Sequence, residues 1–155
     1  MDTFTFNIAK GREIEFYNRV ESNDPAASAL VVIPMATGGT TAQGEDLDDF
    51  AAVEADANFS ERTTGGWVRK TLTDVQLAAF PVPDDTNNRY AVQVPQITFT
   101  APLAANNVVG FIICYDADTA AGTDAALLPL TSHNNPVTTD GNDVTILVGD
   151  FVRAS

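Results

Sequence analysis

The chain has 155 residues, with 8 Lys and Arg against 21 Asp and Glu, and a formal net charge of −13. That length suits one domain around one continuous core, and 45% hydrophobic with 19% charged residues is a globular composition rather than a disordered one. So acidic a surface is repelled by phosphate backbones and by anionic lipid, so neither nucleic acid nor a membrane is expected as a partner.

The single cysteine, Cys114, excludes an intrachain disulfide and offers no zinc spacing. The opening MDTFTFNIAKGREIEF has no basic stretch followed by an apolar run, and apolar runs such as Leu30–Met35 are far below a membrane span. The expectation is a soluble protein made in a cytoplasm and keeping its native N-terminus.

In chain order, residues 7–20 read as a helix, with Asn7 as its N-cap and Ser22-Asn23-Asp24-Pro25 as its stop. Ile8, Phe16, Tyr17 and Val20 cover one broad face, although Glu13–Phe16 also alternates as a strand does. Residues 1–25 thus form an N-terminal helical arm. Ala29–Met35 is a buried, β-branched strand carrying Pro34 near its end. Residues 40–60 form an acidic insertion: a Gly/Thr loop over 38–44, then a short surface helix over 45–58 with Leu47, Phe50, Ala51 and Glu54 on helical spacing.

Gly65-Gly66 opens a strand over 67–73, and residues 78–88 are a turn-rich connection. Residues 90–100 are a strand interrupted at Pro95. Val108–Tyr115 is the most hydrophobic strand and belongs at the centre of the core; an acidic loop follows over 116–124, then a strand over 126–131. Thr139–Asn142 is a hairpin-type turn into a strand over 144–148, and Gly149 marks a bulge before Phe151. The fold class is mainly β: a jelly-roll-like β-sandwich with an N-terminal helix and one short surface helix, in a single domain over 1–155.

Few residues offer chemistry. His133 sits in the polar stretch Thr131–Asn135 and reads as a loop histidine rather than a general base. Cys114, among Phe111, Ile112 and Ile113, reads as a small inert hydrophobe. Glu45, Asp46, Asp48 and Asp49 read as a solvated face, and Gly38-Gly39 and Gly65-Gly66 lack the Lys and helix of a phosphate loop. The sharpest candidate is Asp116, Asp118 and Asp124 in a Gly-containing loop, where alternating carboxylates suit a hard cation such as Ca²⁺. The spacing departs from an EF-hand loop, and the competing reading is ordinary turn chemistry, as it is for Asp140–Asp143. Trp67 and Phe80 read as core or as contact residues. Nothing here asks for an enzyme or a cofactor.

The motifs Gly65-Gly66-Trp67-Val68-Arg69-Lys70, Ile97-Thr98-Phe99-Thr100 and Gly110-Phe111-Ile112-Ile113-Cys114-Tyr115-Asp116 resemble those of small tailed-bacteriophage virion structural proteins. The stretches 7–26, 128–131, 137–143 and 151–155 extend the likeness, and the acidic stretch 40–60 fits it least. The resemblance implies a non-enzymatic β-sandwich present in many copies, made in the host cytoplasm and carried on the virion. Its length and acidity suit a capsid decoration (cement) protein on the outer head surface, partnered by the major capsid protein and closing into a homo-oligomer, a trimer by preference. Phe4, Phe6 and Trp67 are the candidate interface anchors. The alternative is a receptor- or carbohydrate-binding module of a tail or head fibre, or a tail or connector component.

Overall fold

The computed structural model describes residues 1–77, 84–88, 90–147 and 150–154. The described elements are β1 (Phe4–Thr5), α1 (Glu13–Glu21), β2 (Ala29–Thr37), α2 (Thr41–Gly44), α3 (Phe50–Ala55), β3 (Ser60–Glu61), β4 (Lys70–Leu72), β5 (Tyr90–Gln93), β6 (Ile97–Phe99), β7 (Val108–Asp116), β8 (Leu128–Val137), β9 (Val144–Ile146) and β10 (Asp150–Ala154). A 3₁₀ turn at Asp124–Ala126 precedes β8. Phe80 and Gly149 lie outside the described residues.

The architecture is mainly β and antiparallel. A six-stranded sheet runs β1-β8-β7-β2-β3, with β4 also on β2, and two ribbons, β10-β5 and β6-β9, stand apart from it. These ladders are sandwich-like, but the strands outside the main sheet form two ribbons rather than a second four-stranded jelly-roll sheet. The central pair, β2 and β7, is in register from Ala29↔Asp116 to Met35↔Gly110.

Both faces of this pair are covered, which is why its sequences are continuously apolar rather than alternating. Leu30, Val32, Phe111, Ile113 and Tyr115 share one core with Phe16, Tyr17 and Val20 of α1, Trp67, Phe99, Ile146 and Phe151. Val31, Ile33, Met35, Ile112 and Cys114 share the other with Phe6, Phe50, Val53, Phe59 and Leu127. The first core centres on an aromatic cluster in which Trp67 lies 4.7 Å from Phe99 and 6.0 Å from Phe111, centroid to centroid.

Pro34 sits inside a central strand, a place proline normally avoids. The carbonyl of Pro34 accepts from Arg62 N at 2.8 Å, just beyond β3. In an antiparallel strand N and C=O of one residue point the same way, so the missing N–H faces the side where β4, pairing up to Val32, gives way to β3, pairing from Met35. No ladder bond to β7 is lost there.

Several elements differ from their sequence reading. The helix begins at Glu13, not Asn7, because Gly11 adopts φ +77° and interrupts α geometry; residues 7–12 are turns, and the Asn7 side chain donates to Asp46 instead of capping. The N-terminal stretch is no free arm: β1 pairs with β8 at Phe4↔Ser132, and Phe6 and Ala9 are fully buried. The expected helix over 45–58 is shortened to α3, because Asp49 accepts from Ala52 N at 2.8 Å and caps it there. Its Phe50 and Val53 are buried, and part of the preceding loop closes as α2.

The strand expected over 67–73 is only β4, while the strand expected over 90–100 divides at Pro95 into β5 and β6, which pair with different partners. His133 belongs to β8 rather than to a loop. Asp140–Asn142 does form a turn, with Asp140 Oδ1 accepting from Asn142 N at 3.0 Å, but β8 and β9 do not pair across it; β9 pairs with β6.

β8 carries register shifts opposite Val108/Gly110 and Ile113/Cys114. At the first of these its backbone presses onto Gly110, where a Cβ would stand 2.1 Å from the His133 carbonyl oxygen and 2.9 Å from Met1 Sδ. Gly110→Ala is therefore expected to lower unfolding free energy by about 1–3 kcal/mol through overpacking, read from the urea midpoint at constant m-value. Trp67→Ala, emptying the aromatic cluster, is expected to cost about 3–5 kcal/mol in the same assay.

Candidate functional site

At the end of the sheet where β7 finishes, charged groups gather over the second core. Thr71 of β4 lies opposite Val31 of β2. Two residues before it in the chain, Arg69 projects across the sheet margin to three partners. Its Nε and Nη2 donate to the two carboxylate oxygens of Glu61 at 2.9 and 2.6 Å, a bidentate pair, and its Nη1 donates to Asp124 at 2.5 Å. The guanidinium carbon stands 5.0 Å over the Phe50 ring. Hydrogen bonds from Glu61 and then Asp124 hold the Arg69 pKa above its ordinary value, outweighing the burial that opposes them. The Glu61 side chain is only 7% exposed, so this pair is a partly buried one.

Beside Arg69 opens a pocket of about 190 Å³ whose lining includes Val31, Thr71, Asp116, Thr119, Asp124 and Leu127. Asp116, at the end of β7, is 5% exposed, and its Oδ1 accepts from Asp118 N at 3.0 Å.

The three carboxylates expected to hold a cation do not converge. Asp118 turns into its own loop, accepting from Ala120 N at 3.0 Å, and Asp124 is engaged by Arg69. Among the described residues no group of three or more His, Cys, Asp or Glu side chains is placed to hold a metal ion. Turn chemistry spends one oxygen each of Asp116 and Asp118 on backbone N–H groups of the loop, and Arg69 takes one of Asp124.

Two of the three expected anchors lie in the core. Phe6 is 0% and Trp67 1% exposed, with Trp67 Nε1 donating to Asn106 O at 2.6 Å. Phe4 is half-buried against Phe6, at 4.9 Å between ring centroids. An aromatic beside paired glycines here turns inward, because the Gly65 and Gly66 backbone (φ +71° and +86°) folds the chain back on itself. The large apolar side chains that do reach solvent include Val68 and Leu103.

Cys114 is fully buried, and burial pushes its thiol pKa up, away from nucleophilic thiolate. His133 Nε2 lies 2.8 Å from Thr131 Oγ1, and burial holds its pKa below the ordinary 6.5. Sequence reasoning passed over Arg69, Glu61 and Thr71. The available signal was Arg69-Lys70, two adjacent bases in a predicted strand of a chain that has only 8 Lys and Arg.

Arg69→Met keeps the apolar stem over Phe50 but leaves Glu61 buried without its partner; the expected loss is about 1–3 kcal/mol, between an exposed and a fully buried pair. Adding Glu61→Leu should recover most of that loss in the same denaturant assay. For His133 the folded state disfavours the proton, so its contribution is intact above pH 6.5 and is lost as pH falls through the lowered folded pKa. The slope of stability against pH below 6.5 should therefore flatten in His133→Gln, measured by thermal melts across the range.

No family model, curated protein or solved structure matches the chain.

Proposed function

We propose that this chain is a non-enzymatic structural protein of a tailed-phage particle, a decoration protein bound to the outer face of the head shell through the major capsid protein. The observation that carries this reading is a preorganised loop platform with exposed apolar side chains on an otherwise acidic molecule. Leu103 N donates to Gly65 O at 2.8 Å, so the loop bearing Leu103 lies against the loop that leads to Val68. Thr139 locks the base: its Oγ1 donates to Leu103 O at 2.7 Å and accepts from Asn106 N at 3.0 Å, and Trp67 is tied to Asn106.

Val68 is 58% and Leu103 63% exposed on this base, so covering them costs little ordering entropy and gains apolar burial. The platform is built by the Gly65–Lys70 motif, which resembles one of phage virion proteins, and by the loop that joins two further such motifs, Ile97–Thr100 and Gly110–Asp116. The net charge of −13 favours an outward position, away from packaged DNA. A closed homo-oligomer, a trimer by preference, is part of the proposal.

Immunogold labelling of intact particles with antibody to the whole chain should decorate heads; label on tails or fibres replaces this reading with the fibre or connector one. Val68→Asp with Leu103→Asp should leave the melting temperature within a degree or two of the parent, since both side chains are exposed, while abolishing co-sedimentation with undecorated shells. Full retention by the double variant excludes the platform as the contact.

A further inference from the structure

The pocket beside Arg69 lies at the other end of β7 from the loop platform and stands apart from the virion reading. We propose that it binds a primary ammonium carried on a short aliphatic stem, as presented by a lysine side chain or a free alkylamine.

The charge of the site selects a cation. Arg69 commits one N–H of each of Nε, Nη1 and Nη2 to Glu61 and Asp124, and three carboxylates with Asp116 stand against one guanidinium, so the local charge is negative. The second observation concerns Asp116 itself. It is 95% buried, its Oδ1 takes one backbone N–H, and its Oδ2 has no hydrogen-bond partner among the described residues. That oxygen faces the pocket: a Cβ added at Gly122, which lines the same space, would stand 3.3 Å from it. Among the described residues the sealed polar atoms without a partner are Ser28 Oγ and Tyr115 Oη, so Asp116 Oδ2 is reached from the pocket and is free to pair with an entering cation.

The shape of the lining narrows the cation. A guanidinium seeks both oxygens of one carboxylate, and Asp116 Oδ1 and the Glu61 pair are already occupied. A calcium ion needs six or more oxygens, whereas Val31 and Leu127 supply apolar wall and, among the described residues, no group of three or more His, Cys, Asp or Glu is placed to hold a metal ion. An ammonium has three donors, for which Asp116 Oδ2 and hydroxyls from the lining threonines Thr71, Thr119 and Thr123 are more than enough acceptors, and its methylene stem matches Val31 and Leu127.

The test is an amide NMR titration of the full chain with n-butylammonium chloride up to about 50 mM at constant ionic strength, the range expected for a ligand of about five heavy atoms. Saturable shifts should appear across residues 118–124, with none from tetramethylammonium, which has no N–H to donate. Asp116→Asn should weaken binding by about tenfold or more. Should that variant fail to fold, Gly122→Ala decides, because its methyl group shields Oδ2 without changing charge and should weaken binding too. A parallel response to Nα-acetyl-lysine N-methylamide assigns the pocket to a partner's lysine; response to butylammonium alone assigns it to a free amine. No saturable shift, equal binding by both variants, or a larger response to CaCl₂ alone overturns the proposal.

Discussion

The structure depends on one antiparallel pair. β2 and β7 match residue for residue from Ala29↔Asp116 to Met35↔Gly110, and both faces of the resulting ribbon are dry. Because side chains alternate, this one register distributes apolar groups to two separate cores at once; a slip of one residue would exchange every contact of both. The first core takes the helix, the aromatic cluster and the two ribbons. The second takes the N-terminal segment and α3.

The same constraint explains where charge can act. Among the charged side chains, Arg69 lies where the second core meets the sheet margin, and its guanidinium links β3, β4 and the loop after β7 through Glu61 and Asp124. Elsewhere the contacts between opposite charges are surface pairs such as Lys10–Glu45 and Arg19–Glu15, both of which remain well exposed to solvent. The acidic excess is thus a property of loops and helix faces, while the one strongly held cation organises a pocket.

What the sequence made legible follows the strength of its local signals. The two long apolar runs were recognisable as β2 and β7, since runs that give seven buried residues in a row fit only an internal strand or a short helix, and β-branching decided between them. Pro95 correctly divided β5 from β6. The helix start was misplaced because Asn7 offers capping chemistry, whereas the veto came from Gly11, whose positive φ is a tertiary outcome. Phe6 was expected as an interface anchor and is in the core, and of the two readings offered for Trp67 the core one holds, because periodicity says which residues share a face and not which face is covered. The acid triad Asp116, Asp118 and Asp124 was visible as composition, but Asp116 and Asp118 accept from backbone N–H groups of their own loop and Asp124 is taken by Arg69, 55 positions away, which spacing along the chain does not encode. The mainly β, antiparallel character was legible; the division of the outer strands into two ribbons was not.

The main sheet ends in very short strands: two residues in β1, two in β3 and three in β4. A strand that short offers too few unpaired backbone groups in line to template another chain. Copies crowded side by side at high local concentration therefore have little means of zipping into a continuous ladder through this sheet, and whatever order they adopt must be dictated by side-chain surfaces and loops. The fold tolerates dense packing of identical molecules without inviting fibrous polymerisation through that sheet.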